Sequence, residues 1–143
     1  MVDSARHVVF RVGTGRYALP LAAVREVVVT PELFTRVPRA PAAVTGVINL
    51  RGRVVTVVDL CPVLGLGEAQ GPAPKLLLLD RGRRDLALGV ADVEAIEELA
   101  QLPESGQGTG LVRGVAQLGE SLAVNLLDVE ALEARVTGLF RGR

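Results

Sequence analysis

Gly46-Val47-Ile48-Asn49-Leu50-Arg51-Gly52-Arg53-Val54-Val55-Thr56-Val57-Val58-Asp59-Leu60 sets two apolar runs on either side of Arg51-Gly52. The runs are rich in β-branched residues, which suit a pleated surface, and Gly52 tolerates the positive φ of a tight turn. The stretch therefore predicts a β-hairpin that presents an arginine at its tip. A related pattern returns as Gly114-Val115-Ala116-Gln117-Leu118-Gly119-Glu120-Ser121-Leu122-Ala123-Val124-Asn125-Leu126-Leu127-Asp128. Both copies read Gly-Val, apolar strand, turn, apolar strand, Leu-Asp or Asp-Leu, so the chain is built from two related halves.

Outward from the hairpin the signals are mostly short strands. Val8–Val12 and Arg16–Leu19 flank Gly13-Thr14-Gly15 as a first hairpin, and residues 20–24 form a short turn or helical fragment. Glu26–Val29 is a strand that stops at Thr30-Pro31, because proline has no N–H for a ladder. Pro31, Pro38 and Pro41 make residues 31–43 a shaped loop. Gly65, Gly67, Gly71, Pro72 and Pro74 mark the junction between halves, giving lobes 8–66 and 75–128 with a linker at 67–74. Leu76–Leu79 and Asp85–Val90 form another hairpin around Asp80–Arg83. In it Leu77, Leu79, Leu86 and Leu88 alternate, so that one set fills a core and the intervening residues or an edge face outward. Val93, Ile96 and Leu99 fit a helical spacing, although the run also reads as a strand. Residues 103–110 are a Gly- and Ser-rich loop. Val129, Leu132, Val136 and Leu139 place one apolar stripe on a helix over 129–140, capped by Asp128, with Glu130 and Glu133 toward its positive end.

Composition restricts function. In 143 residues, 49% are apolar and 22% charged, which suits one globular domain. The 16 basic and 16 acidic residues cancel, which removes the overall attraction that sequence-independent DNA binding requires. With aromatics at 3%, a stacking platform for single-stranded nucleic acid is hard to assemble. The N-terminal residues lack the continuous apolar region of a signal peptide, and no apolar run reaches the roughly 18 residues of a membrane span. A cytoplasmic location without membrane insertion or nucleic acid is the expectation. Cys61 is the only cysteine and His7 the only histidine, so no internal disulfide, cysteine cage or multi-histidine metal site can be completed. An enzyme built on these two residues is a distant reading.

The residues Asn49-Leu50-Arg51-Gly52, set between Gly46-Val47 and Val57-Val58-Asp59-Leu60, resemble the signature hairpin of the CheW family, the coupling proteins of bacterial chemosensory arrays. Tyr17–Leu21 with Val24-Arg25-Glu26-Val27, Val37–Pro41 and Leu86–Glu94 extend the resemblance, in order, over residues 7–132. The resemblance implies a mainly β fold of two small five-stranded SH3-like barrels around a shared apolar core, with a C-terminal helix. It favours an extended Val93–Leu102. It implies no enzyme, cofactor or metal, but an adaptor that joins the cytoplasmic tip of a methyl-accepting chemoreceptor to the regulatory domain of a CheA-type histidine kinase. Val24, Glu26, Val27, Asn49, Leu50 and Arg51 are the receptor-binding candidates it implies, with Gly46 and Gly52 as structural glycines. Arg84 and Asp85 are candidates for a kinase-facing edge.

Each of these residues also has a plain reading. Arg51 is a solvated turn residue, Glu26 an edge-strand residue or the partner of Arg51 or Arg25, and Gly46 a site of close backbone approach. Asn49 bonds within the turn, and Asp59 and Asp128, matched in the two halves, suit a cap or turn role better than an acid/base pair. The short second half, with no long polar tail after the helix, leaves a paralogue that binds receptor but not kinase as an alternative. A small anion-binding barrel using the Arg81–Arg84 tip is a further one.

Overall fold

A computed structural model describes residues 4–69, 71–79, 86–102 and 110–139. Its strands are β1 (Ser4–Val12), β2 (Gly15–Pro20), β3 (Val24–Val29), β4 (Val44–Leu50), β5 (Arg53–Asp59), β6 (Lys75–Leu79), β7 (Leu86–Val90), β8 (Asp92–Ala100), β9 (Val112–Leu118) and β10 (Leu122–Leu127). A 3-10 turn over Leu21–Ala23 joins β2 to β3, α1 (Leu60–Val63) follows β5, and α2 (Val129–Leu139) follows β10. The run that fitted both helical and extended spacings is thus β8, a strand.

The strands form two five-stranded sheets with the orders β8-β1-β2-β10-β9 and β3-β6-β7-β5-β4. The first, here the terminal sheet, takes its strands from the two ends of the chain, and the second, the central sheet, from the middle. The orders superimpose element for element: β1 to β5 correspond to β6 to β10. In each sheet one pair is parallel, β2 with β10 and β7 with β5, and the others are antiparallel. The sequence repeat is therefore structural, but the division into lobes 8–66 and 75–128 is not how the sheets are built. Each half lends its first hairpin to the sheet of the other. The chain passes from one sheet to the other through short connections, the 3-10 turn after β2 and the single residue Ala91 after β7.

Each sheet curls into a small barrel by hydrogen bonds beyond its edge strand. Thr35, after β3, exchanges two backbone bonds with Val47 of β4, of 2.9 and 2.8 Å. Leu102, after β8, donates its N–H to the carbonyl of Val115 in β9 at 2.8 Å. The glycines that precede the two acceptors face different neighbours. A Cβ on Gly46 would lie 2.5 Å from the Thr35 carbonyl oxygen, a backbone atom, whereas one on Gly114 would meet only the side chain of Gln101, which can move aside.

Strand alternation distributes the apolar residues over three cores. Val8, Phe10, Leu19, Leu77, Leu88 and Leu127 pack between the sheets, together with Leu132 and Val136 from α2. Val9, Ala18, Ala116 and Val124 fill the terminal barrel, and Ile48, Val55, Leu76, Leu78 and Ala87 the central one. Strands β6 and β7 thus bury both faces. The expected outward-facing residues between Leu77 and Leu79 do not exist, because these strands lie inside the ladder order, covered by one core on each side. Asp59 and Asp128 do cap helices: Asp59 Oδ1 accepts from Cys61 N–H at 2.9 Å at the start of α1, and Asp128 Oδ1 accepts from Ala131 N–H at 3.1 Å in α2.

The glycine contacts separate two kinds of substitution. Gly46→Ala must move backbone at the barrel closure, and its φ of 151° is also unfavourable for a side chain, so a loss of about 2–4 kcal/mol is expected in urea unfolding. Gly119→Ala, at a φ of 66° with open space around the added Cβ, is expected to lose only about 1 kcal/mol.

Candidate functional site

The β4–β5 hairpin closes through a two-residue turn, with Leu50 opposite Arg53. Both central residues have positive φ, 53° at Arg51 and 85° at Gly52, as a primed turn that follows the strand twist requires. The Gly52 N–H donates to Asn49 Oδ1 at 2.9 Å, so Asn49 shapes the turn from within. Glycine or asparagine is the usual occupant of position 51 in such a turn, and an arginine there costs about 1 kcal/mol of left-handed backbone. Its side chain is committed to one partner. The Arg51 guanidinium Nη2 binds Glu26 Oε1 of β3, tying the hairpin tip to the neighbouring edge strand.

The pair stands at the surface. With 64% of the Arg51 side chain and 33% of Glu26 exposed, its energy is that of a solvated ion pair, about 0–1 kcal/mol. Its consequence is geometric: it anchors the hairpin tip at Glu26, which opposes Leu78 of the central-barrel core, while the next residue, Val27, points to the other face of β3. Val27 is 40% exposed and Val29 71% on the same strand. Val27 lies directly opposite Leu77, and Leu77 belongs to the core between the sheets. Directly opposed residues share a face, so at β3 the layer between the sheets runs out to solvent on Val27. The equivalent strand β8 ends the same layer on Ile96, which opposes Val8 and is 51% exposed. The inter-sheet layer therefore has an exposed aliphatic residue at each of these edges.

Of the six receptor candidates, Glu26 and Arg51 are brought into contact and Val27 is exposed on the other face of β3. Val24 is half-buried against the core between the sheets, and Leu50 packs partly against the core of the central barrel. Gly46 and Gly52 hold the barrel closure and the turn. Arg84 and Asp85, and the anion-site residues Arg81 and Arg83, lie outside the described residues, as does the loop at 103–109. Sequence reasoning did not single out the exposed Val29, Leu33, Val37 and Val54. The signal was the run Val27-Val28-Val29, whose alternate members on an edge strand must face outward.

Chemistry finds little support in the remaining titratable groups. Burial and the neighbouring Asp59 carboxylate push the Cys61 thiol above its ordinary value, the reverse of what a nucleophile needs. His7 is buried, with Nδ1 2.7 Å from the Ala5 carbonyl oxygen. Among the described residues no group of three or more His, Cys, Asp and Glu side chains is placed to hold a metal, and no helix is long and apolar enough to cross a membrane.

The CheW-like domain model matches residues 6–136. The chain is 31% identical over 134 residues to the "Probable chemotaxis protein CheW" of Rhizobium etli, covering 87% of this chain and 84% of that protein. It is 33% identical over 131 residues to protein FrzA of Myxococcus xanthus, covering 86% and 81%. The crystal structure of the scaffolding protein TtCheW from Thermoanaerobacter tengcongensis has the same fold, with a TM-score of 0.70 at 24% identity over 88% of this chain and 90% of that one.

Reversing one member of the Glu26–Arg51 pair and then both separates pairing from mere charge. Arg51→Glu is expected to lower stability by about 0.5–1 kcal/mol in urea titrations, and adding Glu26→Arg to recover at least half of that loss. Identical stability of the single and double variants would show that the two side chains are not coupled.

Proposed function

The chain belongs to the CheW-like domain family, a family of chemotaxis scaffold adaptors, and on that premise we propose that it couples the cytoplasmic tip of a chemoreceptor to the regulatory domain of a CheA-type histidine kinase. It works in the cytoplasm, without catalysis and without a cofactor. An amphipathic receptor helix lays its apolar face along the exposed end of the layer between the two barrels, where Val27 offers aliphatic contact. The Glu26–Arg51 pair, on the other face of the same strand, sets register and orientation through polar contacts at the strand edge. The observation that carries this reading is that pair: a left-handed arginine at a hairpin tip held to an edge strand whose next residue is an exposed valine.

The kinase contact falls to the hairpin of β6 and β7. Because the body of both strands is covered, docking there is assigned to Arg84 and Asp85, which precede β7 in the sequence. Each link is modest alone. Repetition in an array raises the effective concentration of the next contact, so that weak interfaces still give a stable lattice.

Two measurements test the reading. Arg51→Glu is expected to weaken binding of a receptor signalling fragment by about tenfold or more, roughly 1.4 kcal/mol, while circular dichroism stays that of the wild type. Unchanged affinity in a folded variant would remove the hairpin from the receptor interface. Titration of a purified kinase regulatory domain is expected to give saturable binding that weakens when Arg84 or Asp85 is reversed in charge. Tight receptor binding with no kinase binding at high micromolar concentration would instead identify a receptor-only paralogue.

A further inference from the structure

Asp59 is only 6% exposed, yet among the described residues no cation pairs with it. Its Oδ1 accepts the Cys61 N–H, and no buried side-chain oxygen among the described residues is left without a partner, so an Asp59 oxygen that is unpaired is open to solvent. An ionised carboxylate can accept about four hydrogen bonds, and burying its charge without compensation is unfavourable. Capping α1 does not explain the choice of residue, since Ser, Thr or Asn caps a helix as well without the buried charge. Burial accordingly pushes the Asp59 carboxyl above its ordinary value, against the pull of the Cys61 N–H bond.

The same carboxylate lines a cleft of about 380 Å³ at the seam between the sheets, open to solvent on one side and bounded by the end of β1, the start of α1, the 71–74 segment and the end of β7. Val12, Cys61, Ala73, Pro74 and Val90 give it mainly apolar walls. Its size lies at the lower end of small-ligand sites, about 300–1,000 Å³. A mainly apolar cleft with one carboxylate on its wall is matched by one chemistry: a positive hydrogen-bond donor on a short aliphatic stem. We propose that this cleft binds a primary ammonium group, with Asp59 as its counter-ion and the apolar walls around its stem. A free alkylamine and the lysine side chain of a partner present this same chemistry.

The test uses the full chain and n-butylamine, with n-butanol as the uncharged and butyrate as the oppositely charged probe of similar size, read by chemical-shift titration. Saturable binding of butylamine in the millimolar range, with butanol at least about tenfold weaker and butyrate not bound, is the expected result. Asp59→Asn keeps the capping oxygen and is expected to erase the preference for the amine. Ala73→Leu, which narrows the cleft from its wall without altering Asp59, is expected to weaken amine and alcohol together, so the proposal stays testable if one variant fails to fold. Nα-acetyl-lysine methylamide distinguishes the sources: binding equal to butylamine assigns the site to a lysine side chain, and exclusion of it assigns the site to a free amine. Equal affinity for butylamine and butanol, no saturable binding of butylamine, or amine binding undiminished in a folded Asp59→Asn protein would overturn the proposal.

Discussion

The reciprocal loan of hairpins holds this molecule together. β2 runs parallel to β10 and β7 parallel to β5, so each barrel is completed by strands from the opposite half of the chain. Neither half can close its own sheet, and the apolar layer between the sheets is covered only when both are present. Phe10, Leu19, Leu77 and Leu88 are fully buried in that layer, each worth about 1.5–3 kcal/mol relative to exposure. They reach it from exchanged hairpins. Cooperativity between the barrels follows from topology, and the surface at the seam inherits a fixed geometry from it.

That geometry is what an adaptor needs. An adaptor acts by presenting surfaces at constant separation and orientation, and two barrels built from exchanged hairpins cannot drift apart as two linked domains do. The closure contacts serve the same end. Gly46 admits the backbone of Thr35 to a distance that a side chain would forbid, while Gly114, at the equivalent position, faces only the movable side chain of Gln101. The Gly-Val that opens the first repeat is thus a steric requirement of barrel closure, and the neighbouring hairpin tip is free to carry recognition.

At the edges the molecule gives up burial for contact. Val27 and Ile96 end the inter-sheet layer in solvent, and Arg51 adopts a left-handed conformation for which arginine is poorly suited. The Glu26–Arg51 pair adds little to stability, so its value lies in anchoring the hairpin tip to β3. Asp59 is a comparable case inside the fold, where a helix cap carries more charge than capping requires.

Much of this was legible in the residues. The apolar runs around Arg51-Gly52 specified a hairpin because side-chain alternation and turn chemistry are local. The stripe of Val129, Leu132 and Val136 specified α2, and the matched Asp59 and Asp128 indicated a cap or turn in each half, for the same reason. Glu26 as the partner of Arg51 was one of three readings, beside a solvated edge residue and a partner of Arg25, and only the approach of β3 to the hairpin tip decided among them. Which hairpin joins which sheet was decided by tertiary structure alone, because the repeat is symmetric and either assignment satisfies the same periodicity; the fit of three cores selects the exchange. The coverage of both faces of β6 and β7, the exposure of Val29 and Val54 and the place of the Asp59 carboxylate on the wall of a cleft likewise depend on what packs opposite each residue, which the order of residues along the chain does not specify.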